Sequence, residues 1–220
     1  SDEIDYATFD TSGNTTDGYL GDTFNDSVTD VKFAFSQYKF MDSKDLIQKI
    51  GKQCFSWVFV GGNGSFKIKT LRRTSDYSSA DQTVDFRDLD FGSISKTPLN
   101  SVRNDITVNY NYDYGQDQNL SRVTASDSGS NSSQSTDKEG YNQVLKFKMD
   151  ADFVMDSTTA TQMADAYKTF FKDRRDTVNF SCVRPKYNHL EIGDIINFSN
   201  WPADLKIYGQ TMGGSWDSTT

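Results

Sequence analysis

Residues 156–198 constrain the fold more than any other stretch, because three kinds of local signal follow one another there without a break. The segment reads DSTTATQMADAYKTFFKDRRDTVNFSCVRPKYNHLEIGDIINF. Ala160, Met163, Ala164, Tyr167, Phe170 and Phe171 recur at steps of three and four, which places them on one face of a helix. Asp156, Ser157 and Thr158 are all N-cap candidates, since a short side-chain oxygen accepts a hydrogen bond from a free backbone N–H. Lys172, Arg174 and Arg175 suit the negative end of the helix dipole. At 1.5 Å per residue the predicted helix is roughly 27 Å long. Over 177–184 the period becomes two, with Val178, Phe180 and Cys182 on one side and Asn179, Ser181 and Val183 on the other. Pro185 ends that strand, because its nitrogen cannot donate to a ladder. Gly193-Asp194 predicts a turn that needs positive φ, and Ile195, Ile196 and Phe198 open a new buried strand.

Upstream, residues 1–29 are polar and acidic without periodicity, which predicts loop or the tail of a preceding domain. A calcium-loop reading of residues 10–14 fails, because the glycine is misplaced and no closing Glu follows. Residues 31–35 read as a strand. Asp42 or Ser43 should cap a short helix through Lys52, with Leu46, Ile47, Ile50 and Cys54 on its buried side. A hairpin follows, 55–60 and 65–71, turned by Gly61-Gly62-Asn63-Gly64. Its return strand should hold Phe66 and Ile68 inward and Lys67 and Lys69 outward. Residues 72–100 look less regular and carry an acidic run, Asp85 to Asp90.

The clearest strand is 102–114, in which Ile106, Val108, Tyr110, Tyr112 and Tyr114 should share one face and Asn109, Asn111 and Asp113 the other. The Ser/Asn/Gly/Asp loop 126–140 cannot bury enough apolar surface to order itself. It is expected to tip a long hairpin returning through 141–150. A last strand is expected at 205–208, before a Gly-rich tail.

With 220 residues the chain suffices for one sizeable domain or two small ones. Hydrophobic residues make up 35% and aromatic ones 14%, so the core should lean on Phe and Tyr. The net charge of −8 argues against a broad nucleic-acid footprint and against adsorption to anionic lipid. No apolar run is long enough to span a bilayer. Cys54 and Cys182 both sit among apolar neighbours and read as buried free thiols rather than as a bridge.

Most enzyme chemistries lack their residues. The single histidine, His189, precedes Leu190 in a turn, and no Gly-x-Ser-x-Gly elbow exists for a hydrolase. One His with two distant Cys is a poor zinc set. The 61–64 loop lacks the Lys and Ser/Thr of a phosphate cradle. No catalytic, cofactor-binding or metal-binding residue is therefore assigned, and the chain is read as a non-enzyme without a cofactor. Paired carboxylates are the one alternative, since a glycosidase needs only two. Asp150, Asp152 and Asp156 form one group; Asp85, Asp88 and Asp90 form another, with Phe86, Phe91 and Phe153 as conceivable sugar platforms. Acids also collect at helix N-termini and in loops for dipole and solvation reasons, and that account is preferred.

The order of elements carries a resemblance. A helix reading A-x-x-x-A-x-x-x-x-x-F-F, an alternating strand and an I-G-D-I-I turn follow the 45–71 helix and hairpin and the strand Asn104-Asp105-Ile106-Thr107-Val108-Asn109-Tyr110. Across about residues 30–210 this resembles the baseplate-hub and tail-tip proteins of tailed bacteriophages. The resemblance implies an α+β fold of strand-rich, β-barrel-like hub domains with two principal helices. It implies a virion structural protein that assembles in the host bacterial cytoplasm. The subunit would form a homotrimeric ring contacting tail-tube or distal tail proteins and a spike or fibre, with DNA passing through.

The expected divisions are a polar N-terminal segment or end of a preceding domain at 1–30 and a helix-plus-hairpin subdomain at 31–100. A long-hairpin, helix and strand hub subdomain follows at 101–210, then a truncated tail at 211–220. The rival reading is a glycan- or receptor-binding domain, marked by Tyr112, Tyr114 or Trp57 in an open groove.

Overall fold

The computed structural model describes residues 34, 40–53, 56–70, 80, 82–129, 134, 141–183 and 185–202. In chain order its elements are α1 (Ser43–Gln53), β1 (Ser56–Val60), β2 (Phe66–Thr70), β3 (Gln82–Asp85), β4 (Leu89–Lys96), β5 (Asp105–Asp113), β6 (Gln118–Ser126), β7 (Lys146–Asp150), α2 (Ser157–Phe171), β8 (Asp176–Cys182) and β9 (Ile196–Ser199). The fold is α+β and rich in strands. Among the described residues the strands make one three-stranded sheet, β6-β5-β7, and three two-stranded ones, and no closed barrel is present. The polar N-terminal segment, the 31–35 strand apart from Ala34, Cys54, most of the 126–140 loop, the 205–208 strand and the tail lie outside the described residues.

The core forms where α2 crosses the three-stranded sheet. Asp156 is the N-cap, its Oδ2 accepting from the Thr159 backbone N–H at 2.9 Å. From there the predicted face turns inward, and Ala160, Met163, Ala164 and Tyr167 pack on Ile106, Val108, Ala151 and Val154. Fully burying a side chain of the size of Met163 or Ile106 contributes about 1.5–3 kcal/mol.

The helix is shorter than its periodicity predicts: 15 residues, ending at Phe171 with Lys172 as C-cap. Arg175 explains the stop. Its Nε donates to the Phe170 carbonyl at 2.9 Å, and its backbone N–H donates to Thr97 Oγ1 at 2.8 Å. The chain is thereby drawn out of the helix and into β8.

The predicted long hairpin returning through 141–150 is not formed. β5 instead pairs antiparallel with β6 across a four-residue turn, and β7 joins the other edge of β5 in parallel. Closing a short loop costs less entropy than closing one of about 30 residues, so β6 takes the near edge. Nor is 82–96 irregular. β3 pairs in parallel with β9, and β4 pairs antiparallel with β8, separated by one 3-10 turn at Phe86–Asp88.

In α1 the buried residues are Gly51 and Gln53, whereas Ile47, expected inside, is exposed. The end of this helix is held by polar contacts. The Tyr167 hydroxyl donates to the Lys52 carbonyl at 2.6 Å, and Gln53 Oε1 accepts from the Phe153 N–H at 3.2 Å. In the β1–β2 hairpin, Ile68 is buried but Phe66 is exposed. Cys182 is a free thiol, as expected, but an exposed one.

Candidate functional site

β7 stops at Asp150, opposite Asn109, while the β5–β6 hairpin runs on to Asp113 and Gln118. The missing length of strand leaves an open cleft of about 460 Å³. The sheet contributes Asn109, Lys148 and Asp150; the protruding hairpin adds Tyr112, Gln118 and Asn119; Asp117 and Asp152 complete the lining.

A backbone irregularity brings Tyr112 here. Asn111 has φ of 61°, a left-handed conformation that Asn tolerates better than most residues, and its N–H donates to the Val154 carbonyl at 2.8 Å. The alternation expected through Tyr114 breaks at this residue. Tyr110 packs on the core, while Tyr112 lines the cleft together with Asn109, which the sequence had placed on the opposite face.

The lining groups are partly bonded to one another. Asn109 Nδ2 donates to Asp150 Oδ1 at 2.5 Å, and the Tyr112 hydroxyl donates to the Asp117 carboxylate. Asn119 Nδ2 donates to Asp152 Oδ1 at 3.2 Å, and Lys49 on α1 pairs with Asp152 Oδ2 at 2.5 Å. The Asn119 side-chain Oδ1 is covered and has no hydrogen-bond partner among the described residues. Tyr114 meets the Tyr112 ring edge-on, with centroids 5.1 Å apart.

The remaining candidate residues are placed elsewhere. Asp156 is spent as the helix cap. Asp85 accepts from the Arg87 N–H at 3.0 Å and from Asn200 Nδ2 at 2.9 Å. The backbone bond from Arg87 is the main cause that holds its carboxyl below the usual range, which favours a fixed anion over a proton donor. Asp88 is buried and accepts from the Tyr187 hydroxyl at 3.0 Å, and Asp90 is exposed. Phe153 is buried, and Phe86 and Phe91 pack edge-on against Trp201 at 5.1 and 6.1 Å. None of the three offers the flat open face of a sugar platform. His189 is an exposed turn residue, as expected. Among the described residues no three His, Cys, Asp or Glu side chains group closely enough to hold a metal ion, and no helix is long and apolar enough to cross a membrane.

A second constellation joins the β1–β2 hairpin to the turn before β9. Lys67 pairs with Glu191 at 2.9 Å and Lys69 pairs with Asp194. These lysines, read from the alternation as simply facing outward, form a clasp. Glu191 also accepts from the Gly62 N–H at 3.0 Å. The Lys67 hydrogen bond, then that of Gly62, holds the Glu191 carboxyl below its usual range. For Asp194 burial pushes upward, but the Lys69 hydrogen bond and the Glu191 N–H outweigh it, so its carboxyl too lies low. Gly193 between them has φ of 89°, the positive value expected from the sequence.

In the sequence Asp150 and Asp152 stand out only under the disfavoured glycosidase alternative and Tyr112 only under the rival glycan-binding reading, and Asp117, Gln118, Asn119 and Lys148 do not stand out as their companions. The only local signal was the density of amides and acids on either side of the 114–117 turn. No protein-family model matches the chain, and no curated protein sequence matches it significantly.

Proposed function

We propose that this chain is a structural subunit of a phage tail hub or tail tip. Three copies close a ring of barrel-like domains that joins the tail tube to the tip or spike and lets DNA pass. The reading rests on the ordered resemblance of residues 30–210. The structural observation that supports it is the apolar surface left in water at the end of the β1–β2 hairpin. Val60 is 58% exposed and Phe66 47% exposed, and the strand register sets them directly opposite each other. Ile192, 66% exposed, belongs to the turn clasped against this hairpin. Single exposed apolar residues need no explanation, but a facing pair braced by ion pairs is a surface suited to a neighbouring subunit. The net charge of −8 suits a conduit to which DNA does not adhere.

Sedimentation equilibrium of the purified chain tests the proposal. The expected particle has three times the 24.8 kDa of one chain, and Val60→Lys with Phe66→Lys should return it to one. A monomer at every concentration overturns the ring. A trimer indifferent to both substitutions removes the hairpin from its interface.

A further inference from the structure

We propose that the cleft at the end of β7 binds a neutral saccharide. This goes beyond the ring reading and does not depend on it. Most small-molecule sites are apolar with a few polar groups; this one is built from amides, carboxylates and a lysine around a single aromatic ring. Apolar burial contributes little in such a cleft, so a ligand that gains there must carry many hydrogen-bonding groups of its own.

The cleft offers both acceptors and donors: the carboxylates of Asp117 and Asp150, the amides of Gln118 and Asn119, and the Lys148 ammonium. Vicinal hydroxyls both donate and accept, so one sugar ring can satisfy a carboxylate and an ammonium together. Tyr112 is the one aromatic residue in the lining, and the C–H face of a pyranose can lie against an aromatic ring.

Three carboxylates (Asp117, Asp150 and Asp152) stand against two lysines (Lys148, and Lys49 on Asp152). The net negative field disfavours phosphate, sulfate and uronate ligands. The two ammonium groups in turn compete with a cationic ligand. A neutral polyol is the class that remains, and the volume suits about one or two sugar rings.

The whole chain is mixed with neutral hexose and N-acetylhexosamine trisaccharides, and with their sulfated counterparts, and followed by saturation-transfer NMR. Transfer to at least one neutral sugar and none to its sulfated form is expected. Asp150→Asn and Lys148→Ala should each weaken binding by about tenfold, the effect of losing one charge-assisted hydrogen bond, with circular dichroism and melting temperature unchanged. Trp57→Ala, outside the cleft, should bind as the parent does. The proposal is overturned by absence of transfer to every neutral sugar, by equal binding of sulfated forms, or by parental affinity in both cleft variants. Loss of binding with Trp57→Ala alone would move the site to the hairpin and overturn it equally.

Discussion

Replacing Gly193 by Ala should destabilise the fold through two separable effects. The residue has φ of 89°, where an L-residue brings its Cβ against the neighbouring carbonyl at a cost of about 1–2 kcal/mol. The added Cβ would also stand 3.1 Å from Lys69 Cδ and 3.4 Å from its Cβ. Lys69 is a flexible chain, but its ammonium is tied to Asp194, so yielding strains an ion pair. Together the expected loss is about 1–3 kcal/mol. Gly64 supplies the control. Its φ is 83° and nothing lies within 4 Å of its added Cβ, so Gly64→Ala carries the backbone cost alone. Urea unfolding of both variants should show lower midpoints with unchanged slopes, the Gly193 variant falling further. Gly193→Val should be worse still. A Gly193→Ala loss under about 0.5 kcal/mol, or one no larger than that of Gly64→Ala, would refute the strain or the contact respectively.

Acid should loosen the clasp. Glu191 and Asp194 have carboxyls held below their unfolded values of about 4.3 and 3.9, so their contribution is present above those values and is lost as pH falls through the folded ones. Melting temperature measured from pH 6 downward should therefore drop, and Lys67→Met with Lys69→Met should flatten the slope; an unchanged slope counts against the clasp. Asp156→Ala should cost about 0.5–2 kcal/mol by freeing the Thr159 N–H, read as a lower melting temperature with shorter-lived α2 amides in hydrogen exchange. Tyr187→Phe removes the hydroxyl that donates to buried Asp88 and accepts from the Asp85 N–H at 3.0 Å. It should cost about 1–3 kcal/mol by urea unfolding, and a neutral result would mean that water replaces the hydroxyl.

The local parts of the fold were legible in the sequence. Asp156, one of the three N-cap candidates, caps the helix, four of the six residues on the predicted α2 face are buried in the core, and Gly193 adopts the φ its turn demanded. Each depends on neighbours within a few positions, where propensity and periodicity act. The site was legible only in fragments. Tyr112 was a groove residue only in the rival reading, while strict alternation put it on the apolar face opposite Asn109, and one left-handed Asn undid that assignment. Polar β6 carried too weak an apolar alternation to be recognised beside β5.

A capped amphipathic helix, two tight turns and a strand-rich chain of acidic charge thus follow from the order of the residues alone. Tertiary structure alone decided which strands meet. It set β7 parallel to β5 rather than hairpinned, paired β3 with β9 across more than a hundred residues, and left β7 short so that a cleft opens beside its end. The physical reason is that strand partners are chosen by competition for free edges and by loop-closure entropy, and neither is written in the residues of one strand. The same holds for Lys67 and Lys69, whose alternation pointed them to solvent until a turn more than 120 positions away brought Glu191 and Asp194 to meet them.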